Sequence, residues 1–168
     1  GIRDYKVTGV QTCALPISGF IGGAMVRRLL AESEALVFNL DKIGYASDLR
    51  SIEQLQSELG AKALTPDGQQ RHTLLRLDLA DAEATAAAVQ AADPDLVLHL
   101  AAESHVDRSI DDATPFLTTN VIAVNTLLQC SLTHWRKLPD AEKAQFLFVQ
   151  MSTDEVYGSI AEGEFTED

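Results

Sequence analysis

The run Ser152-Thr153-Asp154-Glu155 sets two carboxylates side by side directly after two hydroxyl side chains. Elimination of water needs an acid to protonate the departing hydroxyl and a base to take a carbon-bound proton, and a carboxylate pair can supply both. Close carboxylates raise the cost of ionising each other, so their surroundings can hold one protonated while the other stays charged. Neighbours on a regular strand point to opposite faces, so both reach one substrate only where a strand gives way to a turn. A solvated acidic turn is the plain alternative.

A second group has the types needed to hold a dinucleotide. Glycines belong where the first strand of a nucleotide-binding unit turns into its helix, because a side chain there keeps the backbone away from the pyrophosphate. Gly19-Phe20-Ile21-Gly22 supplies two of them; the position three residues before Gly19 is Pro16, so a GxxGxxG arrangement is incomplete, and proline also lacks an N–H donor. Ordinary loop and helix-packing glycines would look the same. Asp41 follows nineteen residues after Gly22, at the end of an apolar stretch. An acidic group there accepts hydrogen bonds from ribose hydroxyls and repels a 2′-phosphate, which favours NAD over NADP; a surface turn residue is the alternative.

These groups need elements to bring them together. Met25, Val26, Leu29 and Leu30 share one helical face, with Arg27 and Arg28 turned away. Leu36 to Leu40 is an apolar strand ending at Asp41; a helix-prone region with Leu49, Ile52, Leu55 and Leu59 follows, and Thr65-Pro66-Asp67-Gly68 marks a turn. Leu74 to Asp78 is the next strand, Asp81 caps an alanine-rich helix running to about Ala92, and Asp93-Pro94-Asp95 ends it. Leu96 to Ala101 is a further strand, Val121, Val124, Leu128, Leu132 and Trp135 line one face of a long helix, and Phe146 to Met151 is the last strand. Strands separated by helices imply crossovers and a parallel sheet covered on both faces, so the predicted fold class is α/β, doubly wound and Rossmann-like. Ligands of such sheets bind beyond the carboxyl ends of the strands, so Asp41, Asp78 and the segments after Leu100 and Met151 are expected in one crevice.

Three runs taken together resemble the dTDP-glucose 4,6-dehydratases of the extended short-chain dehydrogenase family: Asn39-Leu40-Asp41-Lys42, Leu100-Ala101-Ala102-Glu103-Ser104-His105-Val106-Asp107-Arg108-Ser109-Ile110, and Ser152-Thr153-Asp154-Glu155-Val156-Tyr157-Gly158. They occur in that family's order, over roughly residues 19–168. The resemblance implies NAD as cofactor and a nucleotide sugar, dTDP-glucose, as substrate. It places Gly19, Phe20, Ile21 and Gly22 by the pyrophosphate, Asp41, Lys42, Ile43 and Gly44 around the adenosine ribose, and Asp78 with Leu79 at the adenine. Leu100, Ala101, Ala102 and Ser104 would line the nicotinamide side, Ser104 also reaching the substrate, and Thr119 would add a cofactor contact. Thr153 would hydrogen-bond the sugar hydroxyl being oxidised, with Asp154 as acid and Glu155 as base. The implied reaction moves hydride from the sugar C4 to NAD, loses water across C5 and C6, and returns hydride to C6. Leu100 to Ala102 could equally be core, and Ser104 and Thr119 could satisfy backbone groups.

The implied oxidation also uses a Tyr base with a Lys four residues on. Tyr5, Tyr45 and Tyr157 are followed at that distance by Gly9, Leu49 and Ala161. The chain is therefore expected to be an amino-terminal fragment, inactive alone, of a homodimeric dehydratase whose substrate lobe and Tyr-Lys pair lie downstream. Another NAD-dependent nucleotide-sugar epimerase or decarboxylase is the nearest rival, although neither needs the Asp154-Glu155 pair; a noncatalytic NAD-binding module ending near Asp168 is the other. Residues 1–18 differ in character from the rest and, from Val7 to Ser18, resemble a translated sequencing-adaptor stretch. They are expected to be non-native and to lie outside a partial NAD-binding domain of residues 19–168, the alternative being an irregular apolar strand at Cys13-Ala14-Leu15.

Length and composition narrow the classes further. The 168 residues, 46% hydrophobic, suit one domain with a sizeable core. A formal charge of -12 disfavours nonspecific nucleic-acid binding, which depends on Lys and Arg neutralising phosphates. No run approaches the roughly 20 apolar residues of a membrane span, and no signal-peptide pattern opens the chain, so a cytoplasmic protein is expected. Cys13 and Cys130 form no CxxC, and His72, His99, His105 and His134 have no metal-ligand spacing, so neither a metal nor a disulfide framework is expected.

Overall fold

The computed structural model describes residues 12–15, 19–44, 47–160 and 162–166, with residues 12–15 and 154–155 described by their main chain alone. Five parallel strands form one sheet: β1 (Thr12–Leu15), β2 (Leu36–Asp41), β3 (His72–Arg76), β4 (Leu96–His99) and β5 (Leu147–Gln150), in the order β3-β2-β1-β4-β5. Helices α1 (Phe20–Glu32), α2 (Arg50–Leu59), α3 (Ala82–Ala92) and α6 (Val124–Lys137) supply the crossovers, with short helices α4 (Val106–Asp111), α5 (Thr114–Leu117) and α7 (Asp140–Lys143) between them. The doubly wound α/β expectation is met.

The two faces of the sheet bury separate apolar clusters. Val26 and Leu30 of α1 and Ile52 of α2 pack on Ala35 and Val37. On the opposite face Val89 and Ala92 of α3 and Leu127 of α6 enclose Leu40 and Val97. Val37 and Leu40, on opposite faces of β2, are both fully covered, which is what a strand buried between two helix layers requires. Asp81 caps α3 as its position predicts, accepting from the amides of Glu83 and Ala84, and Asp93 ends the helix in the left-handed region at φ 45°.

Several expectations differ from what is observed: β4 ends at His99, short of Ala101, β5 is one residue shorter at each end than Phe146 to Met151, and three differences are larger. Strand β3 runs from His72 to Arg76, two residues earlier than read from its leucines, because pairing with β2 is set by Val37 opposite His72 and Asp41 opposite Arg76. Thr12–Leu15 is the middle strand, pairing with β2 from Thr12 opposite Leu36 and with β4 at Cys13 opposite Leu96. The gap between β2 and β4 is filled there through backbone hydrogen bonds, which do not depend on side-chain identity. Residues 1–11 and 16–18, Pro16 included, lie outside the described residues. Finally, the apolar stripe assigned to the long helix mostly faces out. Val121, Leu128 and Trp135 are 54%, 42% and 36% exposed, whereas Ala123, Leu127 and Ser131 form the covered stripe against α3. Small residues on both helices permit that close approach, and periodicity alone does not choose between two stripes.

Arg71, just before β3, is 3% exposed. Its guanidinium donates to four main-chain carbonyls: Leu30 and Ser33 at the end of α1, Ala35 before β2, and Lys62 in the 3-10 turn Gly60–Ala63 after α2. Its own backbone joins the same junction, the amide donating to Ala63 O at 2.8 Å and the carbonyl accepting from Val37 N at 2.7 Å. One side chain thus satisfies acceptors that a helix end would otherwise leave open. Arg71→Met is expected to destabilise the domain by about 3 kcal/mol in urea unfolding, because several buried carbonyls lose their donor. Arg71→Lys should recover less than half of that loss, since an ammonium lacks the planar fork.

Candidate functional site

The carboxyl ends of the strands open into a crevice of about 500 Å³. Its floor at one end is the start of α1, where Gly19, Phe20, Ile21 and Gly22 line the wall. Gly19 gives that helix no side-chain cap and its first turn has no acidic residue, so among the described residues no side chain caps its leading N–H groups or the positive end of its dipole. A Cβ placed on Gly19 meets nothing within 4 Å, and its φ of −79° suits any residue, so the fold itself does not demand glycine there. A ligand backbone approaching the helix start would. Phe20 is 93% exposed beside this opening.

From β2 come Asp41, Lys42 and, beyond them, Gly44. Asp41 Oδ1 accepts from the amide of Ile43 at 2.7 Å and from Ser47 Oγ at 3.4 Å, which folds the loop back on the carboxylate. Ile43 pays for that turn with φ 56°, unusual for a β-branched residue, and it is the one residue of the expected ribose set that does not line the crevice. Asp78 and Leu79 line it from the end of β3, where Asp78 Oδ1 accepts from Ala80 N. Leu100, Ala101, Ala102 and Ser104 line it after β4, Thr119 from the turn before α6, and Thr153 after β5.

The carboxylates Asp154 and Glu155 lie on a 3-10 turn, Asp154–Tyr157, directly after the last crevice residues; their side chains lie outside the described residues. Met151 N donates to His99 O at 2.9 Å, extending the β4–β5 pairing one residue and carrying Ser152 and Thr153 to the crevice. Beneath this point the His99 ring is buried, and burial pushes its pKa below the ordinary 6.5, opposed by the neighbouring Gln150 side chain. A neutral imidazole there adds no charge under the turn.

The loop after β4 is held by residues that sequence reasoning passed over. Asn120 accepts from Glu103 N at 2.9 Å and donates to Glu103 O at 2.8 Å, pairing with the loop as a strand would. Asn120 sits in a wide π turn, Thr118–Ala123, that runs into α6; such turns recur at functional sites because the extra residue re-aims side chains. Across the crevice Lys42 Nζ donates to Thr119 Oγ1 at 3.1 Å and lies 3.9 Å from Glu103 Oε1. These partners are separated by many residues in the chain, so no local pattern announces them.

The family model described as GDP-mannose 4,6 dehydratase matches residues 16–168. The chain belongs to that family. Among curated family relatives, the dTDP-glucose 4,6-dehydratase of Haemophilus influenzae is 37% identical over 152 residues, covering 89% of this chain and 42% of its own length. The probable dTDP-glucose 4,6-dehydratase of Sinorhizobium fredii is 41% identical over 151 residues, covering 89% and 40%. The chain therefore spans about two fifths of the length of these relatives. Among solved structures, the dTDP-glucose 4,6-dehydratase of Streptomyces venezuelae with NAD bound superposes with a TM-score of 0.68 at 35% identity, covering 92% of this chain and 43% of that one. The UDP-glucose 4-epimerase of Bifidobacterium longum, at 20% identity and a TM-score of 0.70, shares the fold.

Removing the Asn120 amide tests the clamp. In Asn120→Ala, the amide of Glu103 is expected to exchange with deuterium on the order of tenfold faster, as loss of a hydrogen bond of about 1 kcal/mol or more implies. Unchanged exchange there would mean that the loop is held by something else.

Proposed function

We propose that this chain is the cofactor-binding part of an NAD-dependent nucleotide-sugar 4,6-dehydratase, cytoplasmic and homodimeric when intact, whose substrate is dTDP-glucose. The observation that carries the reading is the crevice itself, which has an uncapped helix start at one wall, Asp41 at another, and Thr153 leading into Asp154-Glu155 at a third. The uncapped amides of α1 suit a pyrophosphate, with Phe20 and Ile21 flanking it. Asp41, beside Lys42 and Gly44, accepts from the adenosine ribose hydroxyls, Asp78 and Leu79 border the adenine, and Thr119 adds a contact. Leu100, Ala101, Ala102 and Ser104 border the nicotinamide. Bound NAD supplies the acceptor and later the donor of hydride.

The remaining chemistry belongs to side chains. Ser104 and Thr153 orient the sugar by hydrogen bonds to its hydroxyls. Asp154 gives a proton to the departing hydroxyl, and Glu155 takes the proton from the adjacent carbon. The outward apolar face of Leu117, Val121 and Leu128 supports the dimer, since a second copy would cover it. The identity to dTDP-glucose dehydratases supports the substrate, and the carboxylate pair supports elimination over epimerisation.

With the intact enzyme, dTDP-glucose is expected to yield a product lighter by one water in mass spectrometry, and Asp154→Asn or Glu155→Gln should each lower kcat by about 10²–10⁴. An epimer of unchanged mass would overturn the reading in favour of an epimerase. The 168 residues alone contain no Tyr followed four residues on by Lys, so they are expected to release no product.

A further inference from the structure

We infer that Glu103 is a specificity-determining residue that keeps the crevice selective for a dinucleotide without a 2′-phosphate. The inference rests on the dinucleotide reading above and concerns which cofactor that site rejects. Asp41 is the expected partner of the ribose hydroxyls, yet the next residue, Lys42, also lines the crevice and brings the ammonium that a 2′-phosphate would seek. Left to itself, Lys42 would offset the repulsion from Asp41.

The structure draws that charge away. Lys42 Nζ is held on Thr119 Oγ1 at 3.1 Å and lies 3.9 Å from the Glu103 carboxylate, whose side chain is only 17% exposed and so is poorly screened by water. Asn120 holds the main chain of Glu103 through both the amide and the carbonyl, so the loop that carries the carboxylate is fixed beside Lys42. The carboxylate therefore occupies Lys42 and leaves the repulsion from Asp41 unopposed. That disfavours a phosphate on the ribose and leaves the ribose hydroxyls themselves unaffected.

Calorimetric titration of the 168-residue chain with NAD and with NADP tests this. The unaltered chain is expected to bind NAD and to prefer it over NADP. Glu103→Gln keeps the shape and the main-chain clamp but removes the charge, and should move the NADP to NAD affinity ratio toward NADP on the order of tenfold, the change that loss of one close charge contact produces. Adding Lys42→Met to Glu103→Gln should cancel most of that gain. Lys42→Met alone should not move the ratio toward NADP, because it removes the one cation of the pair and leaves the Glu103 carboxylate unpaired. An unchanged ratio in Glu103→Gln with NAD still bound, a gain that persists without Lys42, or a gain of NADP binding in Lys42→Met alone would each overturn the assignment. If the unaltered chain binds neither dinucleotide, the cofactor reading fails and this inference falls with it.

Discussion

Parallel strands cannot be joined by hairpins, and every consequence in this fold follows from that constraint. Each strand must be followed by a crossover that returns the chain to the same edge of the sheet. All the turns that follow strands therefore gather along one edge, while the helices cover the faces. Where the chain, having built β2 and β3 on one side of β1, crosses to place β4 and β5 on the other, adjacent crossovers diverge and the edge opens into a crevice. Residues as distant as Gly19, Asp41, Asp78, Ala101 and Thr153 meet there because strand order leaves them nowhere else to go.

Much of this was legible from residue types. The apolar runs at Leu36 and Leu96, the Asp81 cap and the Asp93-Pro94 stop each report a local backbone preference, and local preferences survive folding. The position of Asp41 was legible for the same reason, since it ends an apolar strand. The edges of β3 and β4 were less so, because strand ends are decided by the partner strand and not by the segment itself. The middle strand shows this most clearly: Thr12–Leu15 takes its place through pairing on both sides, and its sequence gives weak notice of it.

What lay beyond local reading has one cause, that side chains choose partners in space. Arg71 joins the end of α1 to the turn after α2, and nothing beside it in sequence hints at four carbonyls waiting. Asn120 and Glu103 stand seventeen residues apart, and Lys42 and Thr119 seventy-seven. Val121, Leu128 and Trp135 do share one helix face, but which of the two stripes meets α3 is settled by the small residues Ala88 and Ala92 on the other helix. The crevice is thus framed by strand order, while its loops are held by long-range polar contacts that only the folded chain assembles.

The central claim, that this edge of the sheet holds a dinucleotide in a defined direction, is tested most directly by isotope-filtered nuclear Overhauser measurements on the labelled chain with unlabelled NAD. The account requires adenine protons to show cross-peaks to the Leu79 methyls and nicotinamide protons to show them to the methyls of Ala101 and Ala102. Cross-peaks confined to residues away from the crevice, or the two ends of the ligand found at each other's positions, would contradict it.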